Sequence, residues 1–187
     1  MNVGEAEVQQ IVDTNDKKRF ELKVEEGVKL IRAVQGHSIA TVESDAAMIK
    51  ITNPFEYTQI IHGTYMEPLP LIMQTGLNRM QRNHTHLAIG LPKENGVISG
   101  MRASCEVVID INMTKAMHGP HKIPFWISAN KVVLAEGLEN GAIPAEYFRS
   151  VIDFRAKKYI HQTPFDYICM FDFECTCNND PENKLKS

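Results

Sequence analysis

A surplus of positive charge is missing from this sequence. Its 20 lysines and arginines are outnumbered by 23 aspartates and glutamates, for a formal net charge of -3. A general nucleic-acid binder advertises itself with a basic balance. That class is excluded, and any contact with phosphates must be local, through a few arginines in a pocket. Cysteine is scarce as well. Of four, Cys169, Cys175 and Cys177 crowd the last twenty residues, and only Cys105 lies elsewhere. The stretch from Met1 to Lys18 is polar and lacks the apolar core of a secretory signal. Both features point to free thiols in a reducing compartment, cytoplasmic or nuclear. Cys175 and Cys177 stand two apart with no second Cys or His pair after them, which is not zinc-site spacing. No apolar run approaches the ~20 residues that cross a bilayer, so no membrane partner is expected. Neither G-x-G-x-x-G after a strand nor G-x-x-x-x-G-K-[ST] occurs, so a dinucleotide bound here would not lie on a Rossmann fold.

What is present is a globular composition, 43% hydrophobic and 23% charged over 187 residues. That suits one domain of ordinary size with appendages. Val8, Ile11 and Val12 fall at helical spacing within 5–15. Strands are expected at 17–23 and 28–34, and a polar, proline-interrupted surface excursion at 39–56. A further strand is expected at 57–62, stopped by Gly63. Residues 67–77 read as a helix with Pro68 and Pro70 in its first turn, where proline is tolerated. Another strand is expected at 84–89 and a helix at 97–104. Residues 105–111 (CEVVIDI) have the β-branched, apolar pattern of a buried strand. PFWIS and KVVLA follow as short strands, and Pro144 opens a last helix at 144–153. Strands interleaved with short helices, without regular βαβ spacing, predict an α+β fold.

The polar residues gather at strand ends and loops. IRAVQGHS holds Arg32, His37 and Ser38; HGT holds His62, Gly63 and Thr64; RNHTHLA holds Arg82, His84 and His86. SGMRAS holds Ser99, Arg102 and Ser104, and SAN holds Ser128 and Asn130. The set has no paired carboxylates of the kind that cleave glycosides or hold two metals. Arginines suit a phosphate-rich ligand, because the guanidinium fork binds phosphate oxygens bidentately. Residues alone therefore imply a pocket for phosphorylated ligands. His84 and His86 share a strand face, which also suits a metal pair, although no third ligand is evident. Arg32 in an apolar strand reads as a buried arginine needing a partner. Arg79 and Arg82 read as surface residues, His118 and His121 as solvent loop residues, and Trp126 as core rather than a stacking platform.

These blocks, in this order over roughly residues 5–155, resemble the RNA 2′-phosphotransferase family found across bacteria, archaea and eukaryotes. The quoted segments are IRAVQGHS, HGT, HTHLAIGLP, ISGMRASCEV, IPFWISANKVVL and PAEYF. The resemblance implies an ADP-ribosyltransferase-like lobe whose split antiparallel sheet grips NAD, the co-substrate. It also implies a two-step reaction. The RNA 2′-phosphate attacks the ribose C1″ of NAD and expels nicotinamide; the 2″-hydroxyl then attacks that phosphate. The products are 2′-OH RNA and ADP-ribose 1″,2″-cyclic phosphate. By motif, Arg32 and Arg102 would be catalytic and hold phosphates, with His37 and Ser38 beside Arg32 on the RNA phosphate. His62, Gly63 and Thr64 look like the first NAD-binding element and His84 or His86 like the second, joined by Ser99, Ser128 and Asn130. Where family members commonly have glycine after SAN, this chain has Lys131. The expected partner is a 2′-phosphorylated RNA such as tRNA, and the expected state a monomer.

The family's winged-helix lobe carries a Leu-Arg-His motif, and no Arg-His dipeptide occurs in this chain. Residues 1–24 read as the remnant of that lobe, 25–157 as the catalytic lobe, and 158–187 as a linker and tail expected to be disordered. Two of the family's four catalytic residues would then be absent, and complete turnover is expected to be impaired. The tail PFDYICMFDFECTC resembles the opening strand of DEDD-type 3′→5′ exonucleases, whose first two metal carboxylates would be Asp172 and Glu174. The downstream residues of such a site are not in the chain. Two rival readings follow: a catalytically silent module for NAD, ADP-ribose or terminal phosphates, and the front part of a transferase–exonuclease fusion.

Overall fold

The computed structural model describes residues 3–34, 48–91, 101–102 and 104–163. They form a mixed α+β structure dominated by antiparallel sheet, with few helices. The chain opens with helix α1 (Glu5–Asp13) and a hairpin of β1 (Phe20–Glu25) and β2 (Val28–Ala33). The hairpin turns through Glu26 (φ 49°) and Gly27 (φ 80°). Two left-handed residues are what a two-residue hairpin loop needs to match the strand twist. The hairpin is a sheet of its own.

The main sheet has eight strands. They are β3 (Met48–Lys50), β4 (Ile61–Thr64), β6 (Thr85–Ala88), β7 (Val107–Ile111), β8 (Phe125–Ser128), β9 (Val132–Ala135), β11 (Phe148–Asp153) and β12 (Lys158–Gln162). Their spatial order is β12-β11-β7-β4-β6-β9-β8-β3, antiparallel at every junction. A small pair, β5 (Leu77–Asn78) with β10 (Ala142–Ile143), stands beside it. Helices α2 (Leu69–Thr75) and α3 (Met113–His118) cover one face. Side chains alternate along a strand. Val107, Ile109 and Ile111 accordingly enter the larger core under these helices, whereas Val108 enters a smaller cluster with Ile61, Ala88, Leu91, Met101 and Cys105. Burial on both faces explains the unbroken apolar run in β7.

Several expectations are corrected. Residues 144–153 are not a helix: Pro144 precedes a single 3-10 turn (Ala145–Tyr147), and 148–153 form β11 between β7 and β12. Hydrogen bonding on both edges and burial of Phe148, Val151 and Ile152 outweigh the local helical preference of Ala145 and Glu146. The strand expected at 57–62 lies at Ile61–Thr64 and runs through Gly63. A Cβ there would collide with the Met101 side chain and come within 3.0 Å of Cys105 Sγ, so glycine admits close packing rather than ending the strand. Within the supposed surface excursion, 48–50 form β3 on β8 and Ile51 is buried. The described part of 97–104 (Met101, Arg102 and Ser104) is not helical. His118 ends α3, whose N-terminus is capped by the Asn112 side chain accepting from Lys115 N–H at 2.9 Å. His121 is exposed, with its ring edge-on to Tyr147 at 6.3 Å. Residues 158–162, read as the start of a linker, form the edge strand β12. No described helix is long and apolar enough to cross a membrane.

Candidate functional site

Strands β4 and β6 are neighbours that barely pair. Each is fully laddered on its far side, β4 to β7 and β6 to β9, yet they share one residue pair, Ile61↔Ala88. Beyond it no ladder pair joins them toward Thr64 on one strand and Thr85 on the other. A side chain bridges this unpaired stretch, where His62 Nδ1 lies 3.0 Å from the His86 carbonyl oxygen. A carbonyl can only accept, so Nδ1 carries the proton and donates. His86 repeats the arrangement, its Nδ1 donating to the His84 carbonyl at 3.1 Å. Burial holds the His62 pKa below its ordinary value. Burial, aided by the positive charge of Arg82, brings His86 down to about 4. Both rings are therefore neutral at pH 7, and both are left with Nε2 as an acceptor. That suits hydroxyl groups as ligands.

The ends of β4 and β6 beyond that pair each have an arginine. On the β6 side Arg82 precedes the strand and acts electrostatically on His86. On the β4 side Arg102 stands beside Tyr65, the residue after Thr64. Tyr65 Oη is 2.9 Å from Ser104 Oγ. That hydrogen bond, and then the Arg102 guanidinium, pull the phenol's pKa below its usual range. The backbone here is pinned by Glu106, whose N–H donates to Thr64 O at 2.9 Å and whose carboxylate accepts from Met66 N–H at 3.0 Å.

The structure thus brings together His62, Gly63, Thr64, His86 and Arg102. His84 turns to other company: it is buried, its ring lies edge-on to Trp126 at 5.7 Å, and its Nε2 is 3.9 Å from Glu136 Oε1. Trp126 is half-buried. Ser128 and Asn130 are buried in the turn between β8 and β9. Ser128 Oγ lies 2.7 Å from Asn130 Oδ1 and accepts from Val132 N–H at 3.1 Å. Asn130 Nδ2 donates to the Lys17 carbonyl at 3.1 Å. Lys131 follows with φ 59°, the left-handed backbone that glycine adopts freely.

Arg32 is not the buried arginine that its apolar strand suggests. It is exposed on the separate hairpin and paired to Glu21, with its Nε 2.7 Å from Oε2. Its burial was inferred from strand character, and the hairpin leaves β2 exposed. His37, Ser38, Ser99, Asp172 and Glu174 lie outside the described residues. Among the described residues no cluster of three or more His, Cys, Asp or Glu is placed to hold a metal. Sequence reading missed Tyr65, which follows HGT directly. It also set aside Arg82, which is exposed as expected but acts on His86.

The chain matches, over residues 1–137, the family described as RNA 2′-phosphotransferase, Tpt1 / KptA family. It is 40% identical over 151 residues to the tRNA 2′-phosphotransferase 1 of Bos taurus, covering 80% of this chain and 58% of that protein. It is 43% identical over 144 residues to the tRNA 2′-phosphotransferase 1 of Danio rerio, covering 76% of this chain and 63% of that protein. A Schizosaccharomyces pombe relative is 46% identical over 141 residues, covering 75% of this chain and 37% of that protein. The chain thus spans between 37% and 63% of these relatives' length.

Proposed function

This chain belongs to the RNA 2′-phosphotransferase, Tpt1 / KptA family, and from that premise we propose that it transfers the splice-junction 2′-phosphate of tRNA to NAD. The products are 2′-OH RNA, nicotinamide and ADP-ribose 1″,2″-cyclic phosphate. The observation that carries the reading is the broken ladder between β4 and β6, with neutral His62 and His86 across it and Arg102 at its open end. It supports an ADP-ribosyltransferase-like split sheet. The donor set fits the co-substrate. Two imidazole acceptors suit ribose hydroxyls, and an exposed guanidinium suits phosphate oxygens. His62, Gly63, Thr64, His86 and Arg102 would form the centre of the NAD site, with His84, Ser99, Ser128 and Asn130 supporting it.

NAD supplies an electrophilic ribose carbon with nicotinamide as leaving group. The RNA 2′-phosphate brings its own nucleophilic oxygen, so the chain needs no strong base. Its work is to hold the reacting groups in line and to offset charge. Arg102 holds anionic oxygens at the mouth of the split. Arg32, with His37 and Ser38, holds the RNA phosphate, and the Glu21 carboxylate keeps its guanidinium extended across the hairpin until a phosphate takes over. The protein acts as a monomer in the cytoplasm or nucleus.

The test is NAD consumption with a short RNA bearing one internal 2′-phosphate, with RNA and nicotinamide resolved separately. The parent chain should release nicotinamide, and Arg102→Ala and Arg32→Ala should lower that rate by about 10²-fold or more. A second reading, a silent module for NAD or terminal phosphates, is favoured by Arg32 being exposed and paired to Glu21 on a hairpin separate from the main sheet. NAD binding without nicotinamide release would select it.

A further inference from the structure

Two loops meet through the Asn130–Lys17 hydrogen bond, and each continues into exposed cations: Lys131 on one side, Lys18 and Arg19 on the other. Lys131 (φ 59°) and Lys18 (φ 45°) are both left-handed, an uncommon backbone region for a residue with a Cβ. Lys131 N–H donates to Ser128 O at 2.9 Å, Lys18 N–H to Asn15 O at 2.9 Å, and Arg19 N–H to Asn15 Oδ1 at 2.9 Å. Among the described residues Lys17, Lys18, Arg19 and Lys131 form no ion pair, a property they share with other surface cations such as Lys122 and Lys157 but here combined in two joined loops. Asp16 is the one carboxylate in the same loop. The Arg19 carbonyl accepts from Val34 N–H at 2.9 Å, so this strip runs alongside the end of β2, where Arg32 lies.

We infer that Lys17, Lys18, Arg19 and Lys131 form a track for the phosphates of a single RNA strand, leading from the Asn130 turn toward Arg32. The inference rests on the reading of this chain as an enzyme acting on RNA. It supplies what the overall charge lacks. In a chain of net charge -3, long-range attraction to RNA is weak, and cations on two joined loops provide it locally. Four lysines and arginines without carboxylate partners contact phosphates without reading bases, so the track sets register and strength of binding rather than sequence preference.

The experiment uses the full chain and its Lys18→Gly, Lys131→Gly and doubly substituted variants. Glycine suits a left-handed backbone, so these variants should melt no lower than the parent, which keeps unfolding from mimicking the result. Fluorescence anisotropy with a short single-stranded RNA bearing one internal 2′-phosphate, repeated across salt concentrations, reads the binding. Each variant should bind RNA several-fold more weakly at low salt, with the slope of log affinity against log salt shallower by about 0.7 per cation removed. NAD affinity, measured by calorimetry, should not change. A double variant that binds RNA with the parent's affinity and salt slope overturns the track, whatever the enzyme does. Salt-dependent binding that falls in the variants, without nicotinamide release by the parent, supports the track and removes the transferase reading instead.

Discussion

An imidazole kept from water prefers to be neutral, and His62 and His86 are both so placed. In the folded chain His86 stays neutral down to about pH 4, from an ordinary value of 6.5. In the unfolded chain it takes up its proton near 6.5. Between those values the unfolded state binds more protons, so stability is present above pH 6.5 and declines as the pH falls toward 4. The shift corresponds to at most about 3 kcal/mol, with His62 acting in the same direction. Denaturant unfolding at about pH 7.5 and about pH 5 should show the loss, and His86→Gln should flatten it. An unaltered pH slope in that variant would remove His86 as the source. Tyr65 offers a second residue-scale test. Its phenol is shifted down by Ser104 and Arg102, whereas burial pushes Tyr57 up to about 12 and also raises Tyr147. In a titration followed by phenolate absorbance, Tyr65 should ionise first of these three. Arg102→Ala should delay it; no delay would mean that the guanidinium does not stand where the site requires it.

At the scale of elements, β7 and β11 are joined by more than their ladder. Asp110 is buried at 2% exposure, and Arg149 on β11 grips it with two bonds of 2.8 and 3.0 Å. Removing only the cation takes the two-bond ion pair from a buried carboxylate, which is far costlier than losing an exposed pair. Arg149→Met should therefore cost about 3–5 kcal/mol in denaturant unfolding; a cost below about 1 kcal/mol would be that of a surface pair. This junction also marks what the sequence could convey. β7 was legible because burial on both faces leaves an apolar, β-branched run that needs no partner to be recognised. β11 was misread because PAEYF begins like a helix, and only β7 and β12 on either side make it a strand. β4 was displaced by a few residues because its start depends on the ladder with β7, while Gly63 mattered for close packing against Met101. In the site, HGT and HTH were legible as short motifs. The influence of Arg82 on His86 and of Arg102 on Tyr65 arises between side chains that only the fold makes neighbours.

The whole molecule is uneven in its cohesion. The eight-stranded sheet holds both hydrophobic clusters, whereas the hairpin β1–β2 is a two-stranded sheet with Val24 at 62%, Val28 at 59% and Ile31 at 50% exposure. An isolated hairpin of this kind is marginal in water. Its described attachments include the Lys29–Glu5 ion pair to α1, the burial of Val34 just past β2 and, through the loop before β1, the Asn130–Lys17 hydrogen bond to the main sheet. That is why a strand reading of Val28–Ala33 succeeded while the inferred burial of Arg32 failed; apolar, β-branched residues identify a strand without saying whether another layer covers it. It also has a consequence for motion. Local opening takes least where few apolar contacts must be broken. Amides of β1 and β2 should exchange with solvent long before those of β7, and Asn130→Ala should speed exchange in the hairpin while leaving β7 unchanged. If both strands exchanged only with global unfolding, the hairpin would belong to the same cooperative unit as the sheet. If they opened first, the arginine proposed to meet the RNA phosphate would ride on the least anchored element of the fold, and Asn130 would set how firmly Arg32 is presented to it.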